Sequence, residues 1–165
     1  MENIDRVKLF KLIFCIVICQ LAGIIGSIAT APAIPNWYQF LNKPSFTPPS
    51  WLFAPVWISL YTLMGIATFI IWNKGLEELN NKIGLIFFSI QLVLNALWSI
   101  IFFGLKSILG GLILIITLDI AVVITIILYY KVSKIAGALL IPYIVWLSIA
   151  TALNYSILLL NPLLS

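Results

Sequence analysis

The sequence predicts an all-α integral membrane protein, a bundle of five transmembrane helices with a Pro-rich structured first loop. Three observations carry the prediction. Of 165 residues, 63% are hydrophobic and 8% are charged. Mean hydropathy is +1.18, far above what a soluble domain of this size sustains. The apolar residues fall into five runs, about 9-31, 52-72, 83-104, 108-130 and 135-160, each long enough to cross roughly 30 Å of hydrocarbon at about 1.5 Å per residue. Connections use up the remainder, so 1-165 reads as one membrane domain.

The first run follows Arg6, Lys8 and Lys11 and ends at Ala29-Thr30-Ala31. Its apolar core is too long for a cleaved signal peptide, and Pro32 directly after the would-be cut disfavours processing, so it is read as a retained span. Gly23, Ser27 and Ala31 recur at four-residue spacing, as do Ala22, Gly26 and Thr30. Small residues so placed permit close helix contact, within one bundle or between two protomers. Cys15 and Cys19 lie one turn apart in the same run, and the chain has no histidine. They read as packing or lipid-contact residues, so no metal site and no required cofactor is expected. The first loop, roughly Pro32 to Ser50, holds Pro32, Pro35, Pro44, Pro48 and Pro49. Such a segment is stiff and is expected to cover the bundle mouth.

The second run is bracketed by Trp51 and Trp72, which fit an interfacial belt. Trp57, Trp98 and Trp146 differ, because each falls inside its span, where the indole N–H needs a partner. Space-filling between helices is the plain reading of each, and facing a ligand is the functional one. The third run carries Gln91, Asn95 and Ser99 on one face beside Trp98 and Phe102. Hydrogen bonds between helices would explain that stripe without any ligand. Asp119 sits near the middle of the fourth run, where an ionisable group costs several kcal/mol unless protonated or bonded. It is a candidate proton or polar interior site, or a structural bond to Asn95, Gln91 or a threonine. The fifth run offers Tyr143, Trp146, Ala150 and Asn154, where Ala150 leaves a hollow between ring and amide. Counted along the helices, Trp57, Trp98 and Asn154 lie about 9 Å below the loop side and Asn95 about 14 Å. An aromatic cavity open towards the first loop is the expectation.

Orientation follows from the charges. One side carries Arg6, Lys8, Lys11, Lys74, Lys82, Lys131 and Lys134, the other only Lys43 and Lys106. The positive-inside rule then places the N-terminus in the cytoplasm, and the first loop and C-terminus outside. This bias also explains the net charge of +4 without nucleic acid as a partner. The chain starts without a transit segment, so a prokaryotic cell membrane is expected.

Trp37-Tyr38, Lys43-Pro44-Ser45-Phe46-Thr47-Pro48-Pro49, Pro55-Val56-Trp57, Leu60-Tyr61 and Met64-Gly65 form one set of motifs. Gln91-Leu92, Asn95, Trp98-Ser99, Phe102-Phe103-Gly104, Pro142-Tyr143, Trp146, Ala150 and Leu153-Asn154 form another. Together they resemble the translocator protein or tryptophan-rich sensory protein family (TspO/MBR). The resemblance implies a five-helix bundle, usually a homodimer, with a pocket under the first loop for porphyrins. By position it implies Trp37, Tyr38, Trp57, Asn95, Ser99, Trp146 and Ala150 as ligand-binding residues, and the place of Trp98 inside its span adds that residue to the expected set. Phe46 departs from the family's usual tryptophan in the loop. Tyr155 is followed by no Lys or Arg, so the family's sterol pattern is missing and sterol binding is unsupported.

The leading functional expectation is a non-enzymatic membrane receptor or sensor that binds a protoporphyrin-type tetrapyrrole and passes it on. No catalytic residues are expected, because the sequence has no histidine, no base-activated nucleophile and no carboxylate dyad. The enzymatic alternative is light- and oxygen-dependent porphyrin degradation, known in the family, which would rest on Trp57 and Trp146. Translocation coupled to a proton at Asp119 is a third reading, and a scaffold with purely structural polar residues a fourth.

Overall fold

The computed structural model describes residues 2-164. Helix α1 runs Glu2–Asn36, α2 Ser50–Asn73, α3 Leu79–Ser99 with a π-helical extension Ile100–Gly104, and α4 Ile108–Val132. The fifth span is split into α5, Lys134–Leu139, and α6, Ile141–Leu160. Among the described residues there is no strand, and five spans are long and apolar enough to cross a membrane. The five-helix prediction therefore holds, with three boundary corrections.

The first correction is at the end of α1. Pro32 was expected to end the span near residue 31, yet the helix continues through Pro32 and Pro35 to Asn36. Each proline leaves the carbonyl four residues earlier without its usual amide donor, so the helix continues here at a cost in hydrogen bonding. The Asn36 and Gln39 side-chain amides donate to the carbonyls of Pro32 and Pro35 in that turn. The connection is accordingly shorter than predicted, 37-49, with a 3-10 turn Tyr38–Phe40. The second correction is the break at Leu140, where Pro142 occupies the first turn of α6 and fixes a new helix start. The third is the π turn after Ser99, closed by a bond from Leu105 N–H to Ile100 carbonyl at 2.9 Å. Its wider spacing turns Phe102 and Phe103 towards the first loop.

Helix α1 packs on α2 and α3, α3 on α4, and α4 on both α5 and α6. Along α1, Cys15, Cys19, Ala22, Gly26 and Ala33 are buried on one face. Its opposite face exposes Phe10, Val17, Ile24 and Ile28, as lipid contact requires. Of the two small-residue rows, Ala22 and Gly26 pack within the bundle, whereas Ser27 and Ala31 of the other row are exposed. A Cβ on Gly26 would meet the Ser99 hydroxyl at 2.9 Å, and one on Gly23 would strike the Tyr61 ring at 2.4 Å. Gly65 of α2 brings that helix against the backbone of Ile16, where a Cβ would stand 2.6 Å from its Cα. Just beyond the end of α2, Gly75 turns the chain with a φ of +99°, open to glycine and strained for other residues.

The antiparallel order places Lys11 near the end of α2, with its ammonium 5.2 Å from the centre of the Trp72 ring. Lys74 and Lys131 share a polar hollow with Glu78, Asn80 and Asn81 at the same end. The basic residues thus gather at one end of the bundle and the first loop at the other.

Candidate functional site

Helix α2 lies close to α5 but has almost no close backbone approach to α6. The resulting wedge is filled by aromatic rings from both sides. Phe53 and Trp57, one turn apart on α2, meet Trp146 and Tyr143 of α6 at ring separations of 5.7 and 6.3 Å. Trp57 also stacks on Tyr61, at 5.4 Å. Backbones spread and rings fill, so the packing here depends on side chains that can rotate.

Behind the rings lies a buried polar chain. The Tyr61 hydroxyl donates to Asn95 Oδ1, and Asn95 Nδ2 donates to the Tyr143 hydroxyl at 2.9 Å. Tyr143 in turn donates to Gln91 Oε1 at 3.1 Å. Helices α2, α3 and α6 are tied together by these bonds, each worth more in hydrocarbon surroundings than in water because no solvent competes. Two donors at the same level have no partner, Gln91 Nε2 and Trp146 Nε1, and both atoms are buried. Buried donors are nearly always satisfied, so such a pair calls for an explanation.

A second aromatic group stands directly under the first loop. Trp37 and Tyr38 lean edge-on to Phe102 and Phe103 at 5.5 to 6.5 Å. Trp98 stacks on Phe102 at 5.3 Å and borders both aromatic groups. Its indole N–H reaches Asn154 Oδ1 at 3.4 Å, while Asn154 Nδ2 donates to the Ile108 carbonyl at 3.0 Å. The loop is pinned above them. Lys43 donates to the carbonyls of Tyr38, Gln39 and Leu41, and its ammonium lies 4.9 Å from the Tyr38 ring centre. Burial pushes the Tyr38 phenol above its ordinary range. Asn42 and Asn161 exchange side-chain and backbone bonds, tying the loop to the end of α6.

Of the residues singled out from sequence, Trp57, Asn95, Trp146 and half-buried Ala150 belong to the main core around the wedge. Trp37, Tyr38 and Trp98 belong to the loop-side group. Ser99 stands apart, against Gly26 of α1. Asp119 also stands apart. Its Oδ2 accepts from the Thr151 hydroxyl at 2.8 Å, while Oδ1 is buried without a partner. It lines an open groove of 520 Å³ between α4 and α6. Neither this groove nor the polar hollow of 370 Å³ at the basic end lies beneath the first loop. Sequence reasoning passed over Phe53 and Tyr61 as site residues, although each lies four residues from Trp57 and so on its face. The bond from Thr151 to Asp119 is the threonine alternative named from the sequence, whereas the roles of Asn42 and Asn161 had no sequence signal, since single amides are common near span ends.

Fold and site together define a multi-pass membrane protein with an interior of joined amides, phenols and indoles. The chain belongs to the TspO/MBR family, whose model matches residues 15–160. It is 47% identical over 154 residues to the tryptophan-rich protein TspO of Archaeoglobus fulgidus, which covers 93% of this chain and 99% of that one. Similarity extends to the tryptophan-rich sensory protein of Cereibacter sphaeroides, 35% identical over 82% of this chain and 85% of that one. The translocator protein of Homo sapiens is 38% identical over 74% of this chain and 73% of its own length.

Proposed function

We propose that this protein binds a protoporphyrin-type tetrapyrrole in the wedge between α2 and α6, as a sensor or carrier in the cell membrane. The observation that carries the reading is the pairing of an aromatic wedge with two unpartnered donors, Gln91 Nε2 and Trp146 Nε1. A flat macrocycle stacks between Trp57 and Trp146, and its acceptor groups meet those donors. Asn95 then acts indirectly, because its amide is already committed to Tyr61 and Tyr143. Entry requires Phe53 and Trp57 to swing away from Tyr143 and Trp146, beneath the group formed by Trp37, Tyr38 and Trp98.

The N-terminus faces the cytoplasm in this proposal, and the first loop and C-terminus face outward, supported by the gathering of basic residues at one end. A homodimer would use faces other than the Ala22–Gly26 row, which the bundle itself occupies.

Titration of purified protein with protoporphyrin, followed by the absorbance of the pigment, tests the reading. Saturable binding that weakens about tenfold or more in the Trp57→Phe, Trp146→Phe double variant, and not in a Trp51→Phe, Trp72→Phe control, is expected. Equal binding by both variants contradicts it. Retained affinity with loss of light-driven spectral change would instead favour porphyrin degradation.

A further inference from the structure

At the end of the bundle opposite the first loop, α2 stops, α3 begins and α4 stops around one polar hollow of 370 Å³. Lys74 is the C-cap of α2, Glu78 the N-cap of α3, and Lys131 stands in the last turn of α4. Asn80, Asn81 and Val132 complete the lining. The volume is that of a small-molecule site. Its charges are unspent. Glu78 makes no side-chain cap bond to α3, and among the described residues none of Lys74, Glu78 and Lys131 is in an ion pair. Asn81 is fixed, being 4% exposed and donating from Nδ2 to the Gly75 carbonyl at 2.7 Å. Its Oδ1 accepts no bond and is not sealed off.

Two ammonium groups and one carboxylate around a shared space suit a ligand that carries both signs. We infer that the hollow holds the phosphoethanolamine headgroup of a membrane phospholipid, its phosphate between Lys74 and Lys131 and its ammonium on Glu78 and Asn81 Oδ1. A primary ammonium brings three donors, enough for the carboxylate and the amide oxygen together. The quaternary ammonium of a choline headgroup brings none. A headgroup with only a phosphate charge, as in phosphatidylglycerol, satisfies the lysines but meets Glu78 with nothing to offset the repulsion. Position identifies the source as lipid. The lining charges lie at or just beyond the ends of three membrane spans, where headgroups sit. Leu76 and Leu79, on either side of Glu78, are exposed and set apolar surface beside the hollow for the start of the acyl chains. The tetrapyrrole wedge takes no part in this site.

Native mass spectrometry of the purified protein tests the inference, with phosphatidylethanolamine, phosphatidylglycerol and phosphatidylcholine of identical acyl chains offered at equal concentration. The first lipid bound should be phosphatidylethanolamine, favoured about threefold over each of the others, the scale of one exposed charge pair. Glu78→Gln should erase its advantage over phosphatidylglycerol. Lys74→Gln with Lys131→Gln should weaken both lipids by about threefold or more. Glu77→Gln, adjacent in the chain but outside the hollow, should change neither. Soluble glycerophosphoethanolamine at the lipid's concentration should not displace it, because it lacks the chains. No preference among the three lipids in the unaltered protein overturns the inference, and that measurement needs no variant. A preference that survives Glu78→Gln, or falls equally in Glu77→Gln, overturns it in favour of diffuse surface charge. Full displacement by the soluble headgroup overturns the lipid assignment and gives the hollow to a free solute.

Discussion

Asn95 holds the interior together at the scale of single residues. It is 4% exposed and bonds two phenols from different spans, Tyr61 and Tyr143. Replacement by leucine keeps the volume but leaves the Tyr61 hydroxyl buried without its partner, while Tyr143 retains Gln91. The expected cost is about 1–3 kcal/mol, the desolvation penalty of one orphaned group. Thermal unfolding in detergent should show a lowered Tm for Asn95→Leu, partly recovered when Tyr61→Phe is added. An unchanged Tm would mean that the bond contributes nothing. Asn95 and Trp57 were legible in the sequence because an amide or an indole inside an apolar run is conspicuous. Tyr61 was not, because a phenol within a span is ordinary until a partner on another helix is known, and the threonine expected beside Asp119 could not be singled out as Thr151. Ser99 shares the stripe of Asn95, yet the approach of Gly26 turns that position into a helix seam.

Helix spacing is set by glycine and proline at the level of elements. Gly65 allows α2 to touch the backbone of Ile16, and backbone cannot yield as a flexible side chain can. Gly65→Leu should therefore force α1 and α2 apart and lower stability by about 1–3 kcal/mol, read from the same unfolding transition. A neutral outcome would show that α1 is loosely held. The loop brace gives a second expectation. Asn161→Leu removes the acceptor of the Asn42 N–H, so exchange of that amide should speed up while the helices keep their protection. Helix existence was readable from hydropathy alone, and the ends were not. Pro32 and Pro35 sit inside α1 although each leaves the carbonyl four residues earlier without an amide donor, and the π turn after Ser99 has no sequence mark at all.

Orientation and ligand access are properties of the whole molecule. Seven basic side chains at one end against Lys43 and Lys106 at the other define which end should remain in the cytoplasm. Membrane-impermeant maleimide added to intact cells should label Ser45→Cys and spare Asn80→Cys, and the reverse pattern would invert the topology. The buried native thiols Cys15 and Cys19 give little background. The wedge between α2 and α6 follows from the global arrangement, since α2 meets α5 closely and parts from α6 only beyond the break at Leu140. That divergence was invisible in a reading that treated the fifth span as one straight helix. A structure of the protein saturated with protoporphyrin is the most direct test of the binding proposal. The macrocycle should lie between α2 and α6, stacked on Trp57 and Trp146, with Gln91 Nε2 or Trp146 Nε1 bonded to it. A macrocycle seated elsewhere, with the rings of the wedge still in mutual contact, would contradict it.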